Sequence, residues 1–172
     1  MISLPQLAKM AIKNYLDQGN ELELPPDISP DLREKTAGCF VSLHLPNGDL
    51  RGCIGTIEST KANLGQEIIH NAIAAATCDP RFPALKTNEL ENLVISVDVL
   101  TKPEKISDVN QLDPQHYGVI IQTGDGRRGL LLPDLEGIDS VQQQIEIASQ
   151  KAMINPDKDK YELYRFRVER YK

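Results

Sequence analysis

The sequence contains no tryptophan, few aromatic residues and only three cysteines. Phe, Trp and Tyr together make up 5% of its 172 residues, which argues against a nucleic-acid surface built on stacked bases. Cys39, Cys53 and Cys78 are odd in number and form no CxxC pair, a pattern typical of reduced thiols. The first residues show no charged-then-apolar leader, so we expect a cytoplasmic protein.

Long apolar runs and an excess of positive charge are also missing. No window approaches the roughly 18 apolar residues of a membrane-spanning helix. Lys and Arg number 19 against 25 Asp and Glu, which gives a formal net charge of −6 at pH 7. We therefore expect neither a nucleic-acid nor a membrane partner. The length predicts a single domain over residues 1–172, in a monomer or a small homo-oligomer.

The common metal, phosphate and nucleophile motifs are absent as well. His44, His70 and His116 are far apart without ligand spacing, and there is no HExxH, GxSxG or P-loop sequence. Residues 124–129 fit GxGxxG, but Pro133 prevents the helix that a dinucleotide site requires, so we interpret them as a hairpin turn. We expect no metal and no cofactor.

What the sequence does contain is a series of short strand patterns separated by amphipathic helices. Apolar spacing predicts a helix between Ser3 and Gly19, one over 63–77 and one that begins at Asp139 or Ser140. Strands are predicted over 38–45, 50–57, 94–100, 117–123, 128–132 and 161–171, short helical turns over 31–35 and 88–93, and a polar loop over 103–114. Hairpins punctuated by helices favour an α+β fold with a mainly antiparallel sheet flanked by helices.

The last of these strands has one apolar and one charged face. Tyr164 and Phe166 alternate with Arg165 and Arg167, and Arg170 follows. Because successive side chains of a strand point to opposite faces, we expect the rings in the core. The arginines are interpreted as a solvated face.

The most unusual segment is Leu50–Thr56, where Gly52 and Gly55 flank Cys53 inside a strand. Glycine weakens a strand, so its presence suggests a bulge or the close approach of a ligand or of another backbone. Strand alternation places Arg51 on the same face as Cys53, although a bulge would break this arrangement, and a nearby guanidinium would lower the pKa of the thiol. The alternative is a small buried residue in a tightly packed strand.

A second stiff segment, Asp79–Pro83, contains two prolines around Arg81. It is interpreted either as a rigid corner held by an Asp79–Arg81 pair or as a loop that points Arg81 into the same pocket as Arg51. His116 is the best candidate for a general base near a thiol, although a solvated or capping histidine is the simpler interpretation.

These segments resemble a known family. In order and spacing, the sequence resembles the AMMECR domain family, also called AmmeMemoRadiSam system protein A. The similar segments are residues 38–43 (GCFVSL), 51–56 (RGCIGT), 79–83 (DPRFP) and 129–133 (GLLLP), followed by a helix that contains Lys151-Ala152. The resemblance covers roughly residues 37–155. Asp134 stands where the family often has Gln, and Met153 where it often has Gly.

The resemblance implies an α+β protein with a larger lobe built from both chain ends and a smaller inserted lobe. It implies no established activity. Genes of the family lie beside those of a Memo-like protein and a radical SAM protein in prokaryotes, which implies a shared pathway and these two proteins as partners.

Residues and resemblance together lead to two hypotheses. In the first, the protein is an enzyme or enzyme subunit that acts on an anionic or polar small molecule. In the second, the same segment is a non-catalytic binding or adaptor module. The predicted site consists of the catalytic Cys53, His116 and Asp79 and the ligand-binding Arg51, Gly52, Gly55, Thr56 and Arg81.

Overall fold

The computed structural model describes residues 2–172. The helices are α1 (Leu4–Gln18), α2 (Pro30–Glu34), α3 (Leu64–Thr77) and α4 (Val141–Lys151). The strands are β1 (Cys39–His44), β2 (Leu50–Gly55), β3 (Val94–Leu100), β4 (Glu104–Ile106), β5 (Gly118–Thr123), β6 (Arg128–Leu131), β7 (Tyr161–Phe166) and β8 (Val168–Tyr171). Across residues 2–172, no helix is both long and apolar enough to cross a membrane.

The strands form two four-stranded sheets, in the orders β2-β1-β3-β8 and β4-β7-β5-β6. The chain divides into two units, Met1–Leu100 with Glu169–Lys172, and Thr101–Val168. Antiparallel pairing joins β1 to β2 and β3, and β5 to β6 and β7. The α+β prediction with antiparallel sheets is confirmed, while a single domain over 1–172 remains a prediction.

Local sequence signals set the ends of the first unit's elements. The Ser3 hydroxyl accepts the Gln6 amide proton at 3.3 Å and the Gln6 side chain accepts the Ser3 amide proton at 2.8 Å, a capping box that begins α1. Gly19 ends the helix in the left-handed region, at φ 77°. The turn at Asn47-Gly48 joins β1 to β2.

Glycines in two strands allow a helix backbone to come close to its sheet. A Cβ on Gly52 of β2 would overlap the carbonyl oxygen of Ala75 in α3. A Cβ on Gly129 of β6 would overlap the carbonyl oxygen of Ala148 in α4. The helix-facing side of Gly52 is therefore occupied by the protein itself, so a ligand has no access to it from this side.

In the second unit, α4 packs on β5 and β6 over an apolar core. Ser140 and Gln143 form the capping box that the sequence predicts for the start of α4. The buried core side chains of this unit are Ile106, Leu112, Val119, Ile121, Leu131, Ile145, Ala148, Ala152, Ile154 and Leu163. Residues 124–127 form the turn between β5 and β6, which confirms the hairpin interpretation of the GxGxxG match.

Two predictions of secondary structure are wrong. The polar loop predicted over 103–114 contains β4, which pairs with β7 and buries Ile106, and a 3-10 turn at Val109–Gln111. The single strand predicted over 161–171 is divided at Arg167 into β7 and β8, which belong to different sheets. Its simple alternation also fails, because Leu163 and Phe166 are both buried although they point to opposite faces.

Candidate functional site

Cys53 lies on a polar face of the first sheet. Because Gly52 points toward α3, alternation directs Cys53 to the opposite side of β2. The register places Ser42 beside Cys53 and Ser96 beside Ser42, across three strands. We call Ser42, Cys53, Ser96 and Asp98 the polar face; Ser96 and Asp98 are buried, and Cys53 is half-buried.

The Cys53 thiol is held in its protonated form. Burial raises its pKa above the ordinary value and outweighs the opposing effects of the Ser42 hydrogen bond and the Arg81 charge. The carboxylates of Asp79 and Asp98 raise the pKa further. The Ser42 hydroxyl donates to the sulfur at 3.2 Å. The expectation of a thiol pKa lowered by a nearby guanidinium is therefore wrong, because desolvation exceeds the effect of that charge.

Asp79 organises the surroundings of Cys53. Its side chain is 2% exposed and accepts the backbone N–H of Cys53 at 2.9 Å. It also accepts from the Nε and Nη2 atoms of Arg81 at 3.0 and 2.7 Å. The Arg81 hydrogen bonds are the main reason why the pKa of Asp79 lies well below its usual range. Asp79 is thus an ionised anchor, not a proton donor at neutral pH.

Arg81 fits the first of the two alternatives that the sequence left open, and a pocket shared with Arg51 remains a prediction. It forms the predicted corner pair with Asp79, and its Nη2 also lies 3.4 Å from the carbonyl oxygen of Cys53. Its side chain is nevertheless 56% exposed. Nη1 of this guanidinium has no hydrogen bond to any residue between 2 and 172. Arg81 is therefore fixed in orientation while one edge stays open.

Arg51 lies where the register of β2 against β1 shifts, with Gly52 opposite Leu43 and Leu50 opposite His44, and each of its three side-chain nitrogens donates a hydrogen bond. Nε and Nη2 donate to the Glu89 carboxylate at 3.0 and 3.2 Å, and Nη1 donates to the Pro83 carbonyl at 3.1 Å. Its side chain is 11% exposed. Arg51 therefore connects β2 to the rigid corner and to the following 3-10 turn; three of its five N–H donors are used, and its side chain is largely buried.

The space beside Gly55 and the hydroxyl group of Thr56 are also taken up by contacts within the protein. A Cβ on Gly55 would overlap the ring of Phe40, its neighbour on β1. The Thr56 hydroxyl donates to Glu67 at 2.6 Å and accepts from the Asn71 amide at 3.2 Å. These contacts support a structural role, and ligand binding by either residue remains a prediction.

Glu67 is the residue around which the segment after β2 is arranged, and the sequence analysis missed it. It is fully buried in the first turn of α3. The backbone N–H groups of Thr60 and Lys61 donate to it at 2.7 and 2.8 Å, and the Ser59 hydroxyl donates at 3.1 Å. Burial alone would raise the pKa of Glu67, but the hydrogen bonds from Thr56, Lys61 and Thr60 lower it.

His116 belongs to the second unit, within the turn before β5. Its Nδ1 lies 2.7 Å from Asp113 Oδ2, and the side chain is 69% exposed. These contacts fit the simpler interpretation of a solvated histidine. A role as general base for Cys53 remains a prediction. Within the first unit, the residues that the structure brings around Cys53 are Ser42, Asp79, Arg81 and Asp98.

The described part of the chain, residues 2–172, contains no group of three or more His, Cys, Asp and Glu side chains arranged to hold a metal ion. Cys39, Cys53 and Cys78 are all free thiols. Cys39 is buried, which raises its pKa to about 12, while Cys78 is exposed. The three thiols therefore differ in environment, which makes each an internal standard for the others.

Comparison with known proteins places these observations in a family. The model of the AMMECR1 family matches residues 5–171. A protein of Thermotoga maritima is 52% identical over 161 residues, which are 94% of this chain and 92% of that protein. A longer Clostridium acetobutylicum protein is 45% identical over 97% of this chain and 35% of its own length. The crystal structure of the uncharacterized protein PH0010 from Pyrococcus horikoshii matches with a TM-score of 0.86 at 37% identity, over 97% of this chain and 88% of that one.

Proposed function

The chain belongs to the AMMECR1 family, as the RGCIGT and DPRFP segments indicated, and from its site we propose that it is a binding module for an anionic small molecule. Arg81 holds the anionic group of the ligand, and the protonated Cys53 thiol is a neutral contact beside it. This is the second of the two hypotheses from the sequence. The first, an enzyme with Cys53 as nucleophile, is the competing outcome of the experiment below.

The observation that carries this proposal is the pairing of a buried carboxylate with an exposed guanidinium. Asp79 is 2% exposed and Arg81 is 56% exposed, and two hydrogen bonds join their side chains. A guanidinium oriented in this way loses little entropy when it binds a carboxylate or phosphate. Its open Nη1 edge supplies donors to such a group.

The charges around Cys53 argue against a thiolate nucleophile. A nucleophilic cysteine needs a lowered pKa or an adjacent base. Here burial raises the pKa of the thiol, and the Ser42 hydroxyl donates to the sulfur. The nearest carboxylate, Asp79, is engaged with Arg81 and with the Cys53 backbone. None of these groups removes a proton from the thiol at neutral pH.

Cys53 itself can report whether Arg81 attracts anions. Iodoacetate and iodoacetamide are nearly the same size, but only iodoacetate carries a negative charge. Alkylation of Cys53 and Cys78 by each reagent is followed by mass spectrometry of the folded protein. We expect the iodoacetate-to-iodoacetamide rate ratio to be several-fold higher at Cys53 than at Cys78, because the Arg81 charge lies beside Cys53. The ratio cancels the thiolate fraction, since both reagents require the thiolate.

Substitutions of Arg81 test whether its side chain causes the preference of Cys53 for iodoacetate over iodoacetamide. Arg81→Met should abolish it, and Arg81→Lys, which keeps the charge, should restore part of it. Arg33→Met is the matched control, because Arg33 is another arginine of the first unit and its Nη2 donates to the Pro25 carbonyl. An equal ratio at Cys53 and Cys78 in the wild type rejects the anion site.

The pH dependence of the same alkylation separates the two hypotheses. A midpoint for Cys53 above the ~8.5 of a free thiol supports the binding module. A midpoint well below that value, together with loss of a measurable turnover in Cys53→Ser, favours the enzyme. Circular dichroism of each variant confirms that the fold is retained.

The partners implied by the resemblance are part of this proposal. We place the anion-binding module in a cytoplasmic pathway with the Memo-like and radical SAM proteins, as a stable partner of one of them. Co-purification of the tagged chain with either protein from a native host tests this placement. Absence of both from the purified material, at endogenous expression levels, would contradict a stable complex.

A further inference from the structure

Two arginines that the sequence pattern assigned to a solvated face flank an aromatic ring in the second unit. The guanidinium carbons of Arg165 and Arg167 lie 4.5 and 5.0 Å from the centroid of the Tyr117 ring. Nη2 of Arg167 also donates to the Tyr117 hydroxyl at 2.8 Å. Both arginines are thereby held in place by the same side chain.

The cluster lies where β5 begins and β7 ends. Gly118 pairs with Phe166 and Val119 pairs with Arg165, so Tyr117 and Arg167 occupy the next position of this antiparallel pair. Alternation then places Tyr117, Arg165 and Arg167 on one face of the second sheet. A backbone hydrogen bond from Thr101 to the Arg167 carbonyl, 3.0 Å long, fixes the end of the strand.

These side chains line an open cavity of about 470 Å³. Its other lining residues are Thr101, Lys102, Glu104 and Phe166. Pockets for small molecules span roughly 300–1,000 Å³, so the space fits a small organic molecule better than a single ion. Phe166 lies between Arg165 and Arg167 in the chain and is buried.

The charges of the lining are unbalanced in favour of cations. Lys102, Arg165 and Arg167 face a single carboxylate, Glu104, which already accepts from Arg165 Nε at 3.2 Å. Lys102 has no hydrogen bond or ion pair to any residue in the range 2–172, and neither do Nε and Nη1 of Arg167. The free polar groups of the cavity are thus mainly donors with positive charge.

We propose that this cavity binds a small molecule with two negatively charged oxyanion groups, as in a diphosphate or a dicarboxylate. Arg167 and Lys102 hold the oxyanions, because their donors are free. The Tyr117 ring orients the two guanidiniums that lie over it. This site is separate from Arg81 in its residues and does not depend on the proposed function.

Binding can be resolved site by site with NMR of the ¹⁵N-labelled protein. The arginine Nε–Hε signals are followed while inorganic pyrophosphate or succinate is added at constant ionic strength. We expect saturable shifts of the Arg165 and Arg167 signals, and an affinity that falls about tenfold or more in Arg167→Met. Lys105→Met is the matched control, because Lys105 is an exposed cation on β4 that pairs with Glu162 instead.

Each outcome of the NMR titration either supports or overturns the proposed oxyanion site. Saturable binding of pyrophosphate alone identifies a phosphate ligand, and binding of succinate alone identifies a dicarboxylate. Failure of both probes to bind, or unchanged affinity in both Arg167→Met and Lys102→Met, overturns the proposal. Lys102→Met keeps the test decisive if Arg167→Met does not fold, since Lys102 makes no contact of its own that the fold requires. Shifts confined to Arg81 would also overturn it and leave the proposed function intact.

Discussion

The buried Glu67 provides the strictest test of how the segment after β2 is held. Five donor groups converge on its carboxylate, from the hydroxyls of Thr56, Ser59 and Thr60 and from the backbone amides of Thr60 and Lys61. The substitution Glu67→Gln keeps the shape of the side chain but replaces one acceptor oxygen with an NH₂ group. That group is itself a donor and faces other donors.

The magnitude follows from how the five bonds are divided between the two oxygens. Oε2 accepts from Ser59, Thr60 and Lys61, and Oε1 accepts from the hydroxyls of Thr56 and Thr60. The best orientation of the amide keeps its oxygen in the Oε2 position and loses the two bonds at Oε1. Each hydrogen bond to a charged group contributes about 1.5–3 kcal/mol, and hydroxyl rotation recovers part of this. We expect the free energy of unfolding to fall by about 2–4 kcal/mol at pH 7.

The effect has a defined pH dependence. The pKa of Glu67 is lower in the folded protein than in the unfolded chain, where it is about 4.3. The stability gained from this difference is therefore present above pH ~4.3 and is lost as the pH falls through the folded pKa. The difference in the free energy of unfolding between wild type and Glu67→Gln should decrease below pH ~4.3, because the variant has no titrating group at position 67.

Urea denaturation at pH 7 and pH 3 measures both effects. The exposed Glu23→Gln is the control for loss of one negative charge, and its midpoint should change little. The m value should remain the same in all three proteins, since the surface exposed on unfolding does not change. A loss of less than about 1 kcal/mol at pH 7, or a gap of equal size at both pH values, would refute this reasoning.

Three further substitutions test separate features of the fold. Gly52→Ala forces a methyl group against the carbonyl of Ala75 and should lower the free energy of unfolding by about 1–3 kcal/mol in urea; unchanged stability would contradict the close approach. Met153 is 82% exposed at φ 54°, so Met153→Gly should stabilise the fold by about 1 kcal/mol, seen as a higher Tm, and a lower Tm would contradict backbone strain there. Arg170→Met removes two hydrogen bonds to the buried Asp98. It should lower the free energy of unfolding by about 2–4 kcal/mol and increase the rate of amide hydrogen exchange in β8. Exchange at the wild-type rate would contradict the role of Arg170 in anchoring β8.

The elements that depend on local chemistry could be predicted from the sequence. The capping residues Ser3 and Ser140 and the left-handed Gly19 act within a few residues, so their effect can be seen in the sequence itself. The strand β4 could not be predicted in this way, because it has only three residues within a polar segment. These residues form a strand only because they pair with β7. The division at Arg167 has the same cause, since partners on two different sheets determine it.

The site was predictable in part. The spacing of Asp79 and Arg81 allowed the pairing that the structure contains. Alternation placed Arg51 on the face of Cys53, but the register of β2 shifts at Arg51, and alternation does not hold across such a shift. The partners that determine their roles are distant in sequence, as with Glu89, which occupies the donors of Arg51. The sequence also contains no measure of desolvation, so the direction of the Cys53 pKa shift could not be known in advance.

The position of β8 in the first sheet has a consequence for biosynthesis. During translation, residues 1–100 are synthesised well before Val168–Tyr171. The first sheet therefore lacks its outer strand β8 until the inserted residues 101–168 have been synthesised. During that interval the edge of β3 is open and Asp98 lacks its Arg170 partner. Nascent chains arrested before residue 168 should therefore be sensitive to protease within residues 1–100, and release of the last strand should abolish that sensitivity.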